Sequence, residues 1–186
     1  MCLVKDHLLT MKMRVSWNRL FIFGFEESHH CEQIICGINL LMHKGLEWRR
    51  QKPVYVASAD VKSAFDYLSP RVVLEALQYW RFHPCLVAAL MEETTELECS
   101  PSLQTIGLDA TIAFNRSVRQ GGVESAWEWN LPMRMIFDKL LDMWELMGIG
   151  VDLPEIGLVN HLLWADNVYF IAHSREDLEF MLTSFS

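Results

Sequence analysis

Apolar and polar positions along this chain follow two rhythms. From Glu32 to Glu47 the apolar residues fall at 34, 35, 38, 41, 42 and 46, the spacing of one face of a helix. Pro53 follows its end, and Val54 to Ala59 is a short apolar run that predicts a buried strand. Ser69-Pro70 has the form of an N-cap with proline at the first helical position, and Val73, Leu77 and Trp80 mark one face of a helix to about Arg81. His83-Pro84 opens another helix, to about Glu93. Residues 95–120 are expected to hold two short strands around Ser100-Pro101-Ser102. Ser125 to Met147 carries a helical stripe of Trp129, Met133, Ile136, Leu140 and Trp144, and Pro132 inside it is expected to kink or interrupt the helix. Leu158–Trp164 and Val168–Ala172 predict a hairpin around Ala165-Asp166-Asn167. Ser174 then caps a last helix, with Asp177 placed as in a capping box.

The order is helix, strand, two helices, β-ribbon, helix, hairpin, helix, with no internal repeat or low-complexity linker. It suits an α+β domain in which helices pack on one face of an antiparallel sheet.

Composition narrows the class. A chain of 186 residues that is 51% hydrophobic, with seven tryptophans, is long enough for one domain with a real core and is unlike a disordered segment. No run of about 18 apolar residues predicts a membrane span, and the N-terminus lacks the uninterrupted apolar stretch of a signal peptide. Five scattered cysteines without a repeated CxxC spacing are expected to be reduced thiols, which places the protein inside a cell, in nucleus or cytoplasm. His29-His30-Cys31 with Cys36 lacks the close paired spacing of a zinc site, so loop histidines and buried cysteines are the preferred reading. The formal net charge of −8 opposes tight, independent binding of RNA or DNA. Only local patches, such as the surroundings of Arg116 and Arg119, are left to meet phosphates.

Two aspartates change the picture. Asp60 ends the predicted strand 54–59, and Asp166 sits at the tip of the predicted hairpin. Phosphoryl transfer by two metal ions needs carboxylates that hold the ions about 3.5–4 Å apart. Magnesium prefers oxygen ligands and keeps several waters, so few protein carboxylates suffice. Each aspartate alone also has an everyday role, Asp60 as a helix N-cap and Asp166 as a turn residue.

The joint pattern is more specific. Ala59-Asp60-Val61-Lys62-Ser63-Ala64-Phe65-Asp66, followed by Ser69-Pro70, resembles motif A of reverse transcriptases, most closely those of non-LTR retrotransposons and group II introns. Arg119-Gln120-Gly121-Gly122, with Ser125 and Asn130-Leu131 downstream, resembles motif B. The hairpin with Asp166 at its tip, then a Ser-capped acidic helix, resembles motif C, and Phe23-Gly24-Phe25 resembles the Gly-Phe segment of the fingers. The resemblance covers roughly residues 22–185. It implies one partial reverse transcriptase domain over 1–186: a fingers-like segment over 1–53 and a palm with motifs A, B and C over 54–186.

The resemblance also implies roles. Asp60 and Asp166 would bind two magnesium or manganese ions, with Asn167 completing the catalytic group. The Val61 carbonyl would assist, Phe65 takes the steric-gate position, and Gln120 and Gly121 would line the nucleotide pocket. An RNA template, a DNA primer and deoxynucleoside triphosphates are the implied partners, bound only weakly by so acidic a chain.

The departures from the family pattern are specific. Motif C normally has two adjacent aspartates, and here the second is Asn167, although the usual aromatic is present as Trp164. Glu26 stands where an arginine is usual, and Ser125-Ala126 replaces Ser-Pro. Earlier finger segments, later palm motifs, a primer grip, a thumb, and endonuclease or RNase H segments are expected to be missing. Two readings follow: a reverse transcriptase palm with impaired RNA-templated DNA synthesis, or a non-catalytic retroelement remnant that serves as an interaction module. A viral RNA-dependent polymerase fits the Ala-Phe-Asp and Gly-Phe phrases less well.

Overall fold

The apolar run after Pro53 forms strand β1 (Tyr55–Asp60), one of three strands of the main sheet. The structure, a computed structural model, describes residues 21–24, 29–47, 53–95, 98–99, 102–103, 108–109, 112–113, 125–153 and 156–186. The helix predicted over 32–47 is α1 (Cys31–Glu47). After β1 come α2 (Ala64–Tyr67), α3 (Pro70–Tyr79) and α4 (Pro84–Thr95). Four two-residue strands follow: β2 (Glu98–Cys99), β3 (Ser102–Leu103), β4 (Leu108–Asp109) and β5 (Ile112–Ala113). The chain continues with α5 (Ser125–Leu146), β6 (Val151–Leu153), β7 (Gly157–Val159), β8 (His161–Trp164), β9 (Asn167–Ala172) and α6 (Arg175–Phe185). The described residues fall into two compact units, Ser63–Met135 in one and the residues up to Lys62 with Ile136–Ser186 in the other.

The sheet has the order β1-β9-β8, antiparallel throughout, with Asp60 opposite Asn167, Ser58 opposite Tyr169 and Val56 opposite Ile171. Directly opposed residues share a face, and alternate residues along a strand change face. One face therefore carries Val56, Ser58 and Asp60 with Ile171, Tyr169 and Asn167, and with Leu162 and Trp164 of β8. Leu162 and Ile171 are buried there with Ile34 and Leu41 of α1 and with Val151, Leu153 and Val159 of the β6–β7 hairpin. Helix α1 runs across this face from Leu162, which approaches Gly37, to Val54, which presses on Gly45. The end of the face that holds Asp60, Asn167 and Trp164 is half-buried to exposed, with Trp164 packed against the edge of this cluster.

The opposite face is aromatic. Phe170 meets Trp144 at 6.0 Å and Phe185 at 5.4 Å between ring centroids, and Phe137 stacks on His161 at 4.5 Å. Trp144, Phe137 and Phe170 are fully buried, each contributing about 2–3 kcal/mol by loss of apolar surface. The C-terminal half of α5 and all of α6 thus pack on one face of the antiparallel sheet, the expected α+β arrangement, while α1 covers part of the other.

Residues 21–24 add to the outer side of β8. Ile22 bridges Leu163 in parallel, the Phe23 N–H donates to the Leu163 carbonyl at 2.9 Å, and the Leu163 N–H donates to the Phe21 carbonyl at 2.9 Å.

In the other unit, Ser69 caps α3 by accepting from the Arg71 N–H, with Pro70 at the first helical position. The helix ends at Tyr79 with the Phe82 N–H bonded to Leu77 and the Arg81 N–H to Gln78, the closed C-terminal turn usually given to glycine, here with Arg81 at φ 56°. Val73, Ala76 and Leu77 are buried, and the Trp80 indole N–H donates to the Leu131 carbonyl at 3.2 Å. The Thr94 hydroxyl donates to the buried Glu128 carboxylate.

Several expectations need correction. The segment Leu158–Trp164 is not one strand: Gly157–Val159 pairs with Val151–Leu153, and only His161–Trp164 pairs with β9. Across 98–113, β2 pairs with β5 and β3 with β4, so the segments on either side of Ser100-Pro101 do not pair with each other. Helix α5 continues through Pro132. Residues 128–135 are buried all round, and their burial outweighs the roughly 3 kcal/mol a proline costs inside a helix. In its second half the buried face is Phe137, Leu141 and Trp144, while Ile136 and Leu140 are only half-buried. Cys31 and Cys36 are free and exposed, not buried, because α1 turns Ile34 and Leu41 inward instead, and Cys85 in the first turn of α4 is exposed as well.

Candidate functional site

Asp60 is the last residue of β1, and its partner across the sheet is Asn167, the first residue of β9. Asn167 in turn lies opposite Trp164 on β8. Asp60, Asn167 and Trp164 therefore form a row across the end of the sheet, all on one face. Beyond the row, β8 and β9 are joined by Ala165 and Asp166 alone. The Val61 N–H donates to the Asp166 carbonyl at 3.0 Å. That bond ties the chain leaving β1 to the hairpin turn, so the two aspartates, remote in sequence, share one corner of the sheet.

Local chemistry explains the corner. Two-residue turns need positive φ, and Ala165 supplies it at 54°, a torsion that costs a residue with a Cβ about 1 kcal/mol. The interior residues of the hairpin, Leu163, Val168 and Phe170, are fully buried and fix the register, since a slip by one residue would turn them to the other face. Asp60 is exposed, and Asp166 and Asn167 are half-buried. The Asn167 side-chain amide nitrogen lies 3.4 Å from Asp166 Oδ1.

The donors at this corner are all oxygen: the carboxylates of Asp60 and Asp166, the Asn167 amide oxygen and the backbone carbonyls beside them. This set suits a hard ion such as magnesium, which completes its shell with water and substrate oxygens. Among the described residues no three His, Cys, Asp or Glu side chains gather as a metal cluster. The corner therefore brings together two aspartates by their backbones, and oxygen donors of this kind do not suit zinc or a soft metal.

Val61 is half-buried directly after β1. Phe65 lies in α2, half-buried, with its ring 5.9 Å from that of Trp129. Gln120, Gly121, Glu26, Arg116 and Arg119 lie outside the described residues, as does Phe25 of the Gly-Phe phrase. His29 is exposed and touches Phe23 at 5.3 Å, so it serves as a ring contact for the 21–24 segment.

One pair at the far end of β8 from the turn was not singled out from the sequence. His161 and Asn160 are both buried, with His161 Nδ1 2.7 Å from Asn160 Oδ1. An amide oxygen only accepts, so Nδ1 carries the proton and Nε2 is bare. Burial pushes the His161 imidazole down to about 3, leaving it neutral between the rings of Phe137 and Phe21. The available signal was a polar Asn-His step opening an otherwise apolar strand.

Comparison with known proteins gives a consistent result. Residues 2–186 match the sequence profile of the family described as reverse transcriptase (RNA-dependent DNA polymerase). A 149 kDa uncharacterized protein of transposon TX1 from Xenopus laevis is 30% identical over 122 residues, covering 66% of this chain and 9% of that protein. Among solved structures, apo telomerase from Candida tropicalis, truncated from its C-terminal domain, superposes with a TM-score of 0.66 at 11% identity, over 98% of this chain and 35% of the telomerase. Telomerase from Candida albicans, in complex with a fragment of telomeric RNA, gives 0.55 at 12% identity, over 97% of this chain and 30% of its own. At these identities the telomerase likeness concerns the fold. The chain spans about a third or less of each of these proteins.

Proposed function

The chain belongs to the reverse transcriptase family, and from that premise we propose that the corner formed by Asp60 and the Ala165-Asp166 turn is a nucleotidyl-transfer site for RNA-templated DNA synthesis, weakened by Asn167. One observation supports this reading: Asp60 opposes Asn167, and the Val61 N–H is bonded to the Asp166 carbonyl, so the backbones of the two aspartates meet at one corner. A deoxynucleoside triphosphate, an RNA template and a DNA primer are the proposed partners.

Magnesium or manganese at Asp60 and Asp166, when bound, would supply the charge that activates the primer hydroxyl and steadies the triphosphate. The protein's own part is positional. Strand β1 holds Asp60, the two-residue turn between β8 and β9 holds Asp166, and Asn167 and Trp164 continue the row from Asp60 across the sheet. Phe65 is proposed to exclude a 2′-hydroxyl by its bulk, and Gln120 and Gly121 to line the nucleotide pocket.

A second reading, a non-catalytic remnant or interaction module, is favoured by one contact. The Asn167 amide nitrogen turns toward Asp166 Oδ1, occupying an oxygen that a metal ion would use. Glu26 is one of the acidic residues behind the net charge of −8, and repulsion between exposed like charges a few ångströms apart is about 1 kcal/mol, more where water is excluded. The exposed thiols of Cys31, Cys36 and Cys85 support an intracellular setting. Among the described residues no helix is long and apolar enough to cross a membrane.

The test is divalent-ion and nucleotide binding by the purified chain. Manganese titrated in the presence of a deoxynucleoside triphosphate should bind, and Asp60→Ala and Asp166→Ala should each abolish it. The unaltered chain should not extend a primer on RNA. Binding that survives both substitutions removes the transfer site, and extension that Asp60→Ala abolishes removes the claim that synthesis by this chain is impaired.

A further inference from the structure

We propose that Gly24 is a positioning residue for Asp166: residues 21–24 lie so close to the β8–β9 turn that only a hydrogen fits at position 24, and this contact sets where the turn stands. The inference rests on the reading of Asp60 and Asp166 as the ion-binding pair.

The contact is backbone against backbone. A Cβ built on Gly24 would collide with the Ala165 nitrogen, and would stand 2.9 Å from the Ala165 Cα and 3.1 Å from the Trp164 carbonyl carbon. No rotamer change relieves such a clash, because none of the three obstacles is a side chain. The reason for glycine is space, since Gly24 is not among the residues with positive φ. Gly37, in the same unit, is a useful contrast: its Cβ would meet only the Leu162 Cδ1, at an ordinary 3.5 Å.

The segment cannot easily draw back. Two backbone hydrogen bonds at 2.9 Å and the Ile22–Leu163 bridge fasten it to β8 immediately before the turn. Nor can the turn yield freely. Ala165 already sits at φ 54°, a narrow region for a residue with a Cβ. On its other side the turn is held by the Val61 N–H on the Asp166 carbonyl. The turn is therefore clamped, with Gly24 on one side and Val61 on the other, and Asp166 is inside the clamp.

A methyl group at position 24 must push the turn, and the push is felt at Val61, where the bond to Asp166 stretches. Two readouts on purified protein follow this. Exchange of the Val61 amide, across the turn from the substitution, should be about tenfold faster in Gly24→Ala. Manganese affinity, followed by its free-ion magnetic resonance signal, should fall about tenfold or more. Gly37→Ala should change neither. Should Gly24→Ala alone fail to fold, Gly24→Ala with Ala165→Gly restores folding by letting the turn relocate, and the affinity loss persists because Asp166 moves with the turn. A folded Gly24→Ala protein with parental Val61 exchange overturns the proposal. If the parent shows no Asp60-dependent manganese binding, the ion-binding reading has failed, and Val61 exchange alone decides the role of Gly24 in placing the turn.

Discussion

Asp60 and Asn167 stand directly opposite one another across β1 and β9, an exposed carboxylate facing a half-buried amide. The pairing puts the one position that departs from the family's two adjacent aspartates against the carboxylate it would have to work with.

Asn167→Asp places two like charges directly across the sheet, beside Asp166. Such a pair should cost up to about 1 kcal/mol, or a fall of roughly 2–4 °C in melting temperature for a domain of this size. The loss should be full in chelator and partly regained in magnesium or manganese, because a bound ion's charge dominates such a site. Melts of the parent, Asn167→Asp and Asn167→Asp with Asp60→Ala, each with and without metal, check this. An equal metal response in all three would remove the ion site.

His161 gives the fold a pH dependence. Its imidazole is held near 3 in the folded chain and returns to its ordinary value of 6.5 on unfolding. The unfolded state therefore binds the extra proton first, and stability, complete above pH 6.5, drains away as pH falls from there toward 3. Between pH 6.5 and about 5 the loss should be roughly 1.5 kcal/mol. His161→Phe should lower stability at neutral pH by leaving Asn160 Oδ1 without its donor, but should flatten this part of the profile. Denaturant titrations across the range measure the difference.

Ala165→Gly should be neutral or stabilising, by up to about 1 kcal/mol. Relief of the left-handed torsion at φ 54° is set against the greater freedom of glycine in the unfolded chain. A clear loss of stability would mean that the methyl group packs against the site.

Ser174→Ala should cost about 1 kcal/mol. Its hydroxyl accepts from the Asp177 N–H at 3.0 Å and starts α6, which buries Met181 and brings Phe185 against Phe170. Restoration by Ser174→Asp, another good N-cap, would separate the cap from any effect of side-chain size.

What could be read from the chain alone was chemistry whose causes lie within a few residues. Ser69-Pro70 and Ser174 start their helices because a hydroxyl reaches an N–H two or three positions on. The apolar run before Asp60 makes a strand because its side chains suit a pleated, half-buried surface. Four short phrases in order also carried the family. Tertiary structure decided what depended on competition between distant partners. Gly157–Val159 could have extended β8 but pairs with β6, and β2 passes over its near neighbour for β5. Pro132 stays inside α5 because that stretch is buried all round, and the buried stripe further on runs through Phe137 and Leu141. The burial that keeps His161 neutral, and the close approach that admits only glycine at position 24, arise between segments far apart in sequence. Periodicity and capping carry no information about distance between such segments, so only the folded chain could supply them.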